Sequence, residues 1–250
     1  MANRLANKVA IVTGAATGQG RVGALAFAGE GAQLVLTDLD AARLEATADS
    51  AREAGAQVKT FVADITQEEA NKDLVDLAVS AYGRLDVLYH NAGRVRMSPI
   101  HEATLDDWTF SLQNELTIVF LTCKYALRAM LSQKSGSIIN TASLSGLYGV
   151  KGHGVHAATK GGVIGLTRQI AVEYGPSGIR CNAICPSYID FDPDQPGYRG
   201  GAGSSGIAEF PLGRYAKPED PVNVAIFLAS DEASFITGQS FIVDGGKSAH

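Results

Sequence analysis

Disulfides, membrane spans and basic tracts are all missing from this chain. Its three cysteines, Cys123, Cys181 and Cys185, are few for 250 residues and stand in apolar surroundings. They read as buried small hydrophobes of a reducing compartment, with neither a disulfide framework nor a metal-ligand spacing. No apolar run reaches the ~20 residues that a bilayer span requires. The opening stretch Met1–Lys8 is polar and carries no apolar signal region, so a cytoplasmic location is expected. Lys and Arg number 21 against 26 Asp and Glu, a net charge of −5, and they form no run. That balance gives no electrostatic basis for binding nucleic acid or an anionic membrane, and a small molecule is the expected partner.

Hydrophobic residues make up 46% of the chain and charged ones 19%, which suits one globular domain over residues 1–250. Short β-branched runs alternate with helical stretches. Strands are predicted at 9–13, 34–37, 58–63, 87–89, 137–140, 179–184 and 241–243. Helices are predicted at 20–30, 40–54, 67–82, 105–133 and 160–174, most of them closed by glycine. Strands apolar on both faces and separated by helices imply a parallel sheet covered on both sides. Right-handed crossovers then give an α/β fold, a doubly wound, three-layer αβα sheet of Rossmann type. One segment breaks this rhythm: residues 190–206 hold Pro193, Pro196 and five glycines, and a long irregular loop in that place is expected to be a substrate lid.

The first strand runs into Thr13-Gly14-Ala15-Ala16-Thr17-Gly18-Gln19-Gly20. Glycines at a strand-to-helix turn let the backbone approach a pyrophosphate, and the helix N-terminus offers it N–H groups and partial positive charge. Asp38 closes the second predicted strand. A carboxylate there accepts hydrogen bonds from the ribose hydroxyls of an adenosine and repels a 2′-phosphate, so NAD is favoured over NADP. Arg43 is expected on the helix surface, away from that site.

Farther on, the chain reads Ser143-Leu144-Ser145-Gly146 and then His156-Ala157-Ala158-Thr159-Lys160-Gly161. Together with the glycine turn, this layout resembles the short-chain dehydrogenase/reductase family, whose motif is a Ser followed about a dozen residues later by Tyr-x-x-x-Lys. Two departures stand out: His156 occupies the tyrosine position, and Glu115 replaces the family's catalytic Asn in Glu115-Leu116-Thr117-Ile118-Val119-Phe120. The resemblance extends over nearly the whole chain. It implies adenine contact from Asp64-Ile65. It places Asn91-Ala92-Gly93 on the cofactor's adenosine side, with His90 in place of an Asn. It has Pro186 and Ile189 hold the nicotinamide carboxamide. Gly14, Thr17, Gly18, Gln19, Gly20 and Asp38 complete the expected cofactor set.

By the same resemblance, Ser143 orients a substrate oxygen and Lys160 holds the nicotinamide ribose. His156 becomes the acid/base, with an imidazole pKa near ~6.5 against about 10 for a phenol. Glu115 is expected either to pair with Lys160 or to act as a base through water. The implied activity is hydride transfer between NAD and a secondary alcohol or ketone, and the implied assembly is a homotetramer. Two alternatives stay open: a non-redox dehydratase, isomerase or lyase on this fold, and an inactive NAD(H)-binding protein. His153 and His156 have helical ligand spacing, but no third ligand is evident, so no metal is expected.

Overall fold

The computed structural model describes residues 3–190 and 204–249. Seven parallel strands form one sheet in the order β3-β2-β1-β4-β5-β6-β7. These are β1 (Val9–Thr13), β2 (Gln33–Asp38), β3 (Val58–Val62), β4 (Val87–His90), β5 (Gly136–Thr141), β6 (Ile179–Pro186) and β7 (Ser240–Val243). The helices are α1 (Gly18–Gly29), α2 (Ala41–Glu53), α3 (Glu68–Tyr82), α4 (Leu105–Ser111), α5 (Ile118–Gln133), α6 (Gly154–Tyr174) and α7 (Glu219–Ala229).

Strand periodicity divides the core in two. Ile11, Leu88 and Ile138 face one layer, where they meet Leu74 of α3, Val119 of α5 and Val163 of α6. Their neighbours Val12, Tyr89 and Ile139 face the other, with Phe27 of α1, Leu44 of α2 and Ala225 of α7. This alternation on a sheet covered on both faces explains why the strands read as continuous apolar runs. All three cysteines are free and buried. The strand order reverses between β1 and β4, and in a parallel sheet the crevice beyond the carboxyl ends of such strands is where ligands bind.

The predicted strands match the observed ones to within two residues at either end. Two helices differ from expectation. Helix α6 begins at Gly154 instead of Lys160, because the punctuation Gly152-His153-Gly154 reads as loop although only Gly152 takes a positive φ, +80°. His156 therefore lies on the first turn of a helix. Helix α7 was not expected. Pro221 sits in its first turn, where a missing N–H costs nothing. The predicted helix 105–133 is continuous but changes hydrogen bonding at Leu112–Thr117, a π-helical turn between α4 and α5. The expected lid falls mainly on residues 191–203, outside the described residues.

Gly20 sits behind the glycine turn. A Cβ there would stand 2.0 Å from the Gly14 carbonyl oxygen, a backbone atom that cannot swing away. Gly20→Ala is expected to cost about 2 kcal/mol by overpacking, more than the helix propensity gained. Calorimetry should show Tm lowered by roughly 4–8 °C, and an unchanged or raised Tm would contradict this packing.

Candidate functional site

A cleft of about 840 Å³ opens beyond the carboxyl ends of the strands. Its adenosine end is built from Gly14, Thr17, Gly18, Asp38, Asp64 and Ile65, and its other end from Glu115, Ser143, His156, Lys160, Pro186 and Ile189; Asn91, Ala92 and Gly93, expected on the adenosine side, run between the two, with Ala92 against Gly14 and Gly93 near Glu115 and Lys160. Of the residues expected to bind cofactor, Gly20 alone does not line it; Gly20 supports the turn from behind. Gln19 lines the cleft, but its side chain turns inward, where its amide donates to the Tyr89 hydroxyl. Arg94, Leu144 and Tyr188 also line the cleft. Tyr148 is half exposed and stands outside the cleft.

The adenosine end fits a dinucleotide. Gly14 takes φ +67° and a Cβ there would lie 2.9 Å from Ala92 Cα, while Gly18 takes φ +53°; a side chain at Gly14 would fill the cradle. The first turn of α1 ends the strand-to-helix turn at the cleft, as a pyrophosphate requires. Asp38 is fixed by three backbone donors: Ala16 N–H (3.0 Å) to one oxygen, Leu39 (2.7 Å) and Asp40 (3.2 Å) N–H to the other. A carboxylate has about four acceptor sites, so acceptor capacity and negative charge remain. Helix α2 is capped by Asp40, which accepts from Arg43 N–H at 3.1 Å. Arg43 itself pairs with Asp40 on the surface. Thr37 lines the cleft with its Oγ1 buried and unpartnered, a vacancy for a polar ligand group.

At the other end three elements converge. The π-helical turn widens the backbone ring, and the freed Asn114 carbonyl accepts Arg94 N–H at 3.3 Å. π-turns recur where a functional side chain must be aimed. This one carries Glu115, only 3% exposed, into the sheet edge. Helix α6 brings His156, Thr159 and Lys160. The turn after β5 brings Ser143, and a Cβ on Gly146 would stand 2.8 Å from the Lys160 carbonyl carbon, so only glycine lets the serine turn sit this close to α6.

The contacts tie these groups together. His156 Nδ1 lies 2.9 Å from both Glu115 oxygens. Thr159 Oγ1 donates to Glu115 Oε2 at 2.6 Å. Lys160 Nζ is 3.6 Å from Glu115 Oε1 and donates to the Thr141 carbonyl at 3.0 Å. Ser143 Oγ is 2.8 Å from Ser145 Oγ. Since a carboxylate accepts, His156 Nδ1 carries the hydrogen, which leaves Nε2 as the ring's other nitrogen. Burial raises the Glu115 carboxyl, but Lys160, His156 and Thr159 together outweigh it and hold it below the ordinary range. His90, behind the site, is pushed down to about 3 by burial and then by Lys160, so it stays neutral at physiological pH and is no proton carrier.

The pairing of Glu115 with Lys160 expected from sequence is present at 3.6 Å; the shorter contacts to His156 and Thr159 were not expected. Thr159 was missed altogether. Its only signal was a hydroxyl three residues after His156, one turn on along the same helix face.

The family profile described as Enoyl-(Acyl carrier protein) reductase matches residues 14–248. The 3-oxoacyl-[acyl-carrier-protein] reductase of Thermotoga maritima is 37% identical over 243 residues, 97% of this chain and 98% of that protein. The chain belongs to the short-chain dehydrogenase/reductase family. Another member, cis-4-hydroxycyclohexanecarboxylate dehydrogenase of Sinomonas cyclohexanicum, is 39% identical over 250 residues and covers 100% of both chains. The solved structure of NAD+-bound xylitol dehydrogenase superposes on this short-chain dehydrogenase/reductase with a TM-score of 0.91 at 31% identity, over 97% of this chain and 99% of that one.

The lowered Glu115 carboxyl has a consequence for stability. A carboxylate favoured in the folded state contributes stability above its unfolded value, near ~4.3, and loses it as pH falls through the folded value. Urea midpoints for the parent and Glu115→Gln, taken from about pH 7 to about pH 3, should show a parent advantage that shrinks only at the acid end. A difference constant across that range would contradict the ionised, paired carboxylate.

Proposed function

We propose that the protein is an NAD-dependent oxidoreductase that interconverts a secondary alcohol and its ketone, with His156 as the acid/base. The observation that carries this reading is the pair of 2.9 Å contacts from Glu115 to His156 Nδ1. They give the histidine at the tyrosine position a defined tautomer and a second nitrogen for the substrate. The names of the two relatives support the reaction class, since a 3-oxoacyl reductase and a hydroxycyclohexanecarboxylate dehydrogenase both work at a carbon bearing oxygen. The NAD+ in the xylitol dehydrogenase structure and the charge of Asp38 support NAD over NADP.

Bound in the cleft, the cofactor supplies the hydride acceptor for oxidation or the hydride donor for reduction. The rest falls to this chain's residues. Gly14, Thr17 and Gly18 seat the pyrophosphate, and Asp38 takes the adenosine ribose. Ser143 Oγ hydrogen-bonds the substrate oxygen and fixes its orientation. In oxidation, His156 Nε2 takes the hydroxyl proton while Nδ1–H stays on Glu115. In reduction, the protonated ring returns a proton to the carbonyl oxygen. Glu115 thus serves as the anion that stabilises the imidazolium and fixes the ring, the logic of a carboxylate–histidine pair in acyl transfer. Lys160 keeps ammonium hydrogens for the second ribose beyond those given to Thr141. Ile189, tied into the wall by its bridge to Ala216, closes the carboxamide side with Pro186.

The test is NADH formation from NAD+ and a panel of secondary alcohols by the parent and by His156→Phe. The parent should turn over with a pH-dependent rate, and the variant should lose at least 100-fold in kcat, the lower range for a general base. Cofactor binding without NADH from either protein would remove the redox assignment. Turnover with no net NADH would move it to non-redox chemistry.

Thr159→Val keeps the side-chain shape but removes the hydroxyl from Glu115 Oε2. It is expected to lower kcat about 10-fold, consistent with roughly 1.4 kcal/mol for one charge-assisted hydrogen bond, and to displace the pH–rate limb, with Thr159→Ser restoring both. An unchanged pH profile would assign Thr159 to packing alone.

A further inference from the structure

The wall of the cleft beyond His156 carries a cation that the reaction itself does not use. Lys247 folds back from near the chain end, lines the cleft and is only 21% exposed along its side chain. Its ammonium stands 5.2 Å from the Tyr188 ring centroid and 5.1 Å from that of Phe210. Tyr215 completes an aromatic wall, 6.0 Å from Tyr188 and 5.2 Å from Phe210 between centroids. His153 joins this wall to the acid/base: its ring lies 5.6 Å edge-on from His156 and 6.5 Å from Tyr188. His153 Nδ1 is buried and has no hydrogen-bond partner, an arrangement a folded protein keeps where a ligand or water completes it.

Among the described residues, the carboxylates of the cleft are already engaged elsewhere. Asp38 and Asp64 belong to the adenosine end, and Glu115 is engaged by His156 and Thr159. Lys247 does pair with Glu209, whose side chain is 61% exposed. An ion pair with so exposed a partner contributes little, and an ammonium has three donors. A cation seated against aromatic faces and shielded from water gains more from a second anion than it would at an open surface. Arg96 is taken by Asp106 and Asp107 and lies 4.2 Å over the Phe110 ring.

We propose that the substrate is a hydroxy acid or its keto counterpart, with an apolar body between the reacting carbon and a carboxylate. The carboxylate pairs with Lys247, the body lies on Tyr188 and Tyr215, which line the cleft and are backed by the buried Phe210, and His153 Nδ1 meets a polar atom of the same ligand. This assignment rests on His156 marking the reacting end. Lys247 then selects substrate and takes no part in proton or hydride transfer.

Calorimetric titration of NAD+-loaded protein with cyclohexanecarboxylate and with cyclohexanecarboxamide tests it without turnover. The parent should bind the carboxylate at least 10-fold more tightly than the amide. Lys247→Met should lose that preference, and Lys247→Arg should retain most of it, which separates loss of charge from loss of fold. Equal binding of the two probes by the parent, binding of neither, or a preference that survives in Lys247→Met would overturn the proposal. NADH formation from cis- and trans-4-hydroxycyclohexanecarboxylate, read on the same samples, reports separately on the redox reading. A carboxylate preference without NADH would sink that reading and leave the anion site standing.

Discussion

Glu115 is a carboxylate withdrawn from water at the carboxyl edge of a sheet, and stripping a charge of its hydration costs several kcal/mol unless partners replace that water. Here His156, Thr159 and Lys160 do so, and each comes from one stretch of α6. The need to satisfy one anion therefore fixes how α6 docks against the π-helical turn, and with it where the imidazole points. Removing any single partner leaves the carboxylate short of a donor, which is why the group behaves as a unit.

The same constraint reaches both ends of the cleft. Lys160 lies between Glu115 and the Thr141 carbonyl, so its position depends on the anion as well as on β5. Gly146 lets the Ser143 turn pack on the Lys160 backbone, which brings Ser143, His156 and Lys160 to one wall. The adenosine end depends on backbone geometry instead: a left-handed Gly14 against Ala92 and a carboxylate clasped by three N–H groups. One end is built of fixed main chain and the other of coupled side chains, and the switch point between β1 and β4 joins them.

Most of the architecture could be read in the sequence, because strands buried on both faces leave uninterrupted β-branched runs and the helices end at glycines. The glycine turn, Asp38, Ser143, His156, Lys160 and Glu115 were likewise legible from spacing and resemblance. What escaped depends on contacts distant in sequence or on local signals that contradict the fold. Gly152-His153-Gly154 looks like a loop yet starts α6. Pro221 looks like a breaker yet sits where a helix tolerates it. Thr159 bonds a carboxylate on another helix, and Lys247 reaches rings from the loop after β6 and the segment before α7; no short-range pattern announces either. Arg96 shows the converse, a charge noticeable in sequence and neutralised in the fold by Asp106 and Asp107.

Glu115 holds His156 with its hydrogen on Nδ1 and leaves Nε2 to the cleft. Nitrogen-15 correlation spectra of histidine-labelled protein test it directly, since the chain has only five histidines and the His156→Phe spectrum identifies the relevant one. At a pH where the ring is neutral, His156 should show a protonated Nδ1 and a bare Nε2, and Glu115→Gln should weaken or abolish that preference. A His156 ring protonated on Nε2, or one with the same tautomer mixture in both proteins, would mean that Glu115 does not set the tautomer.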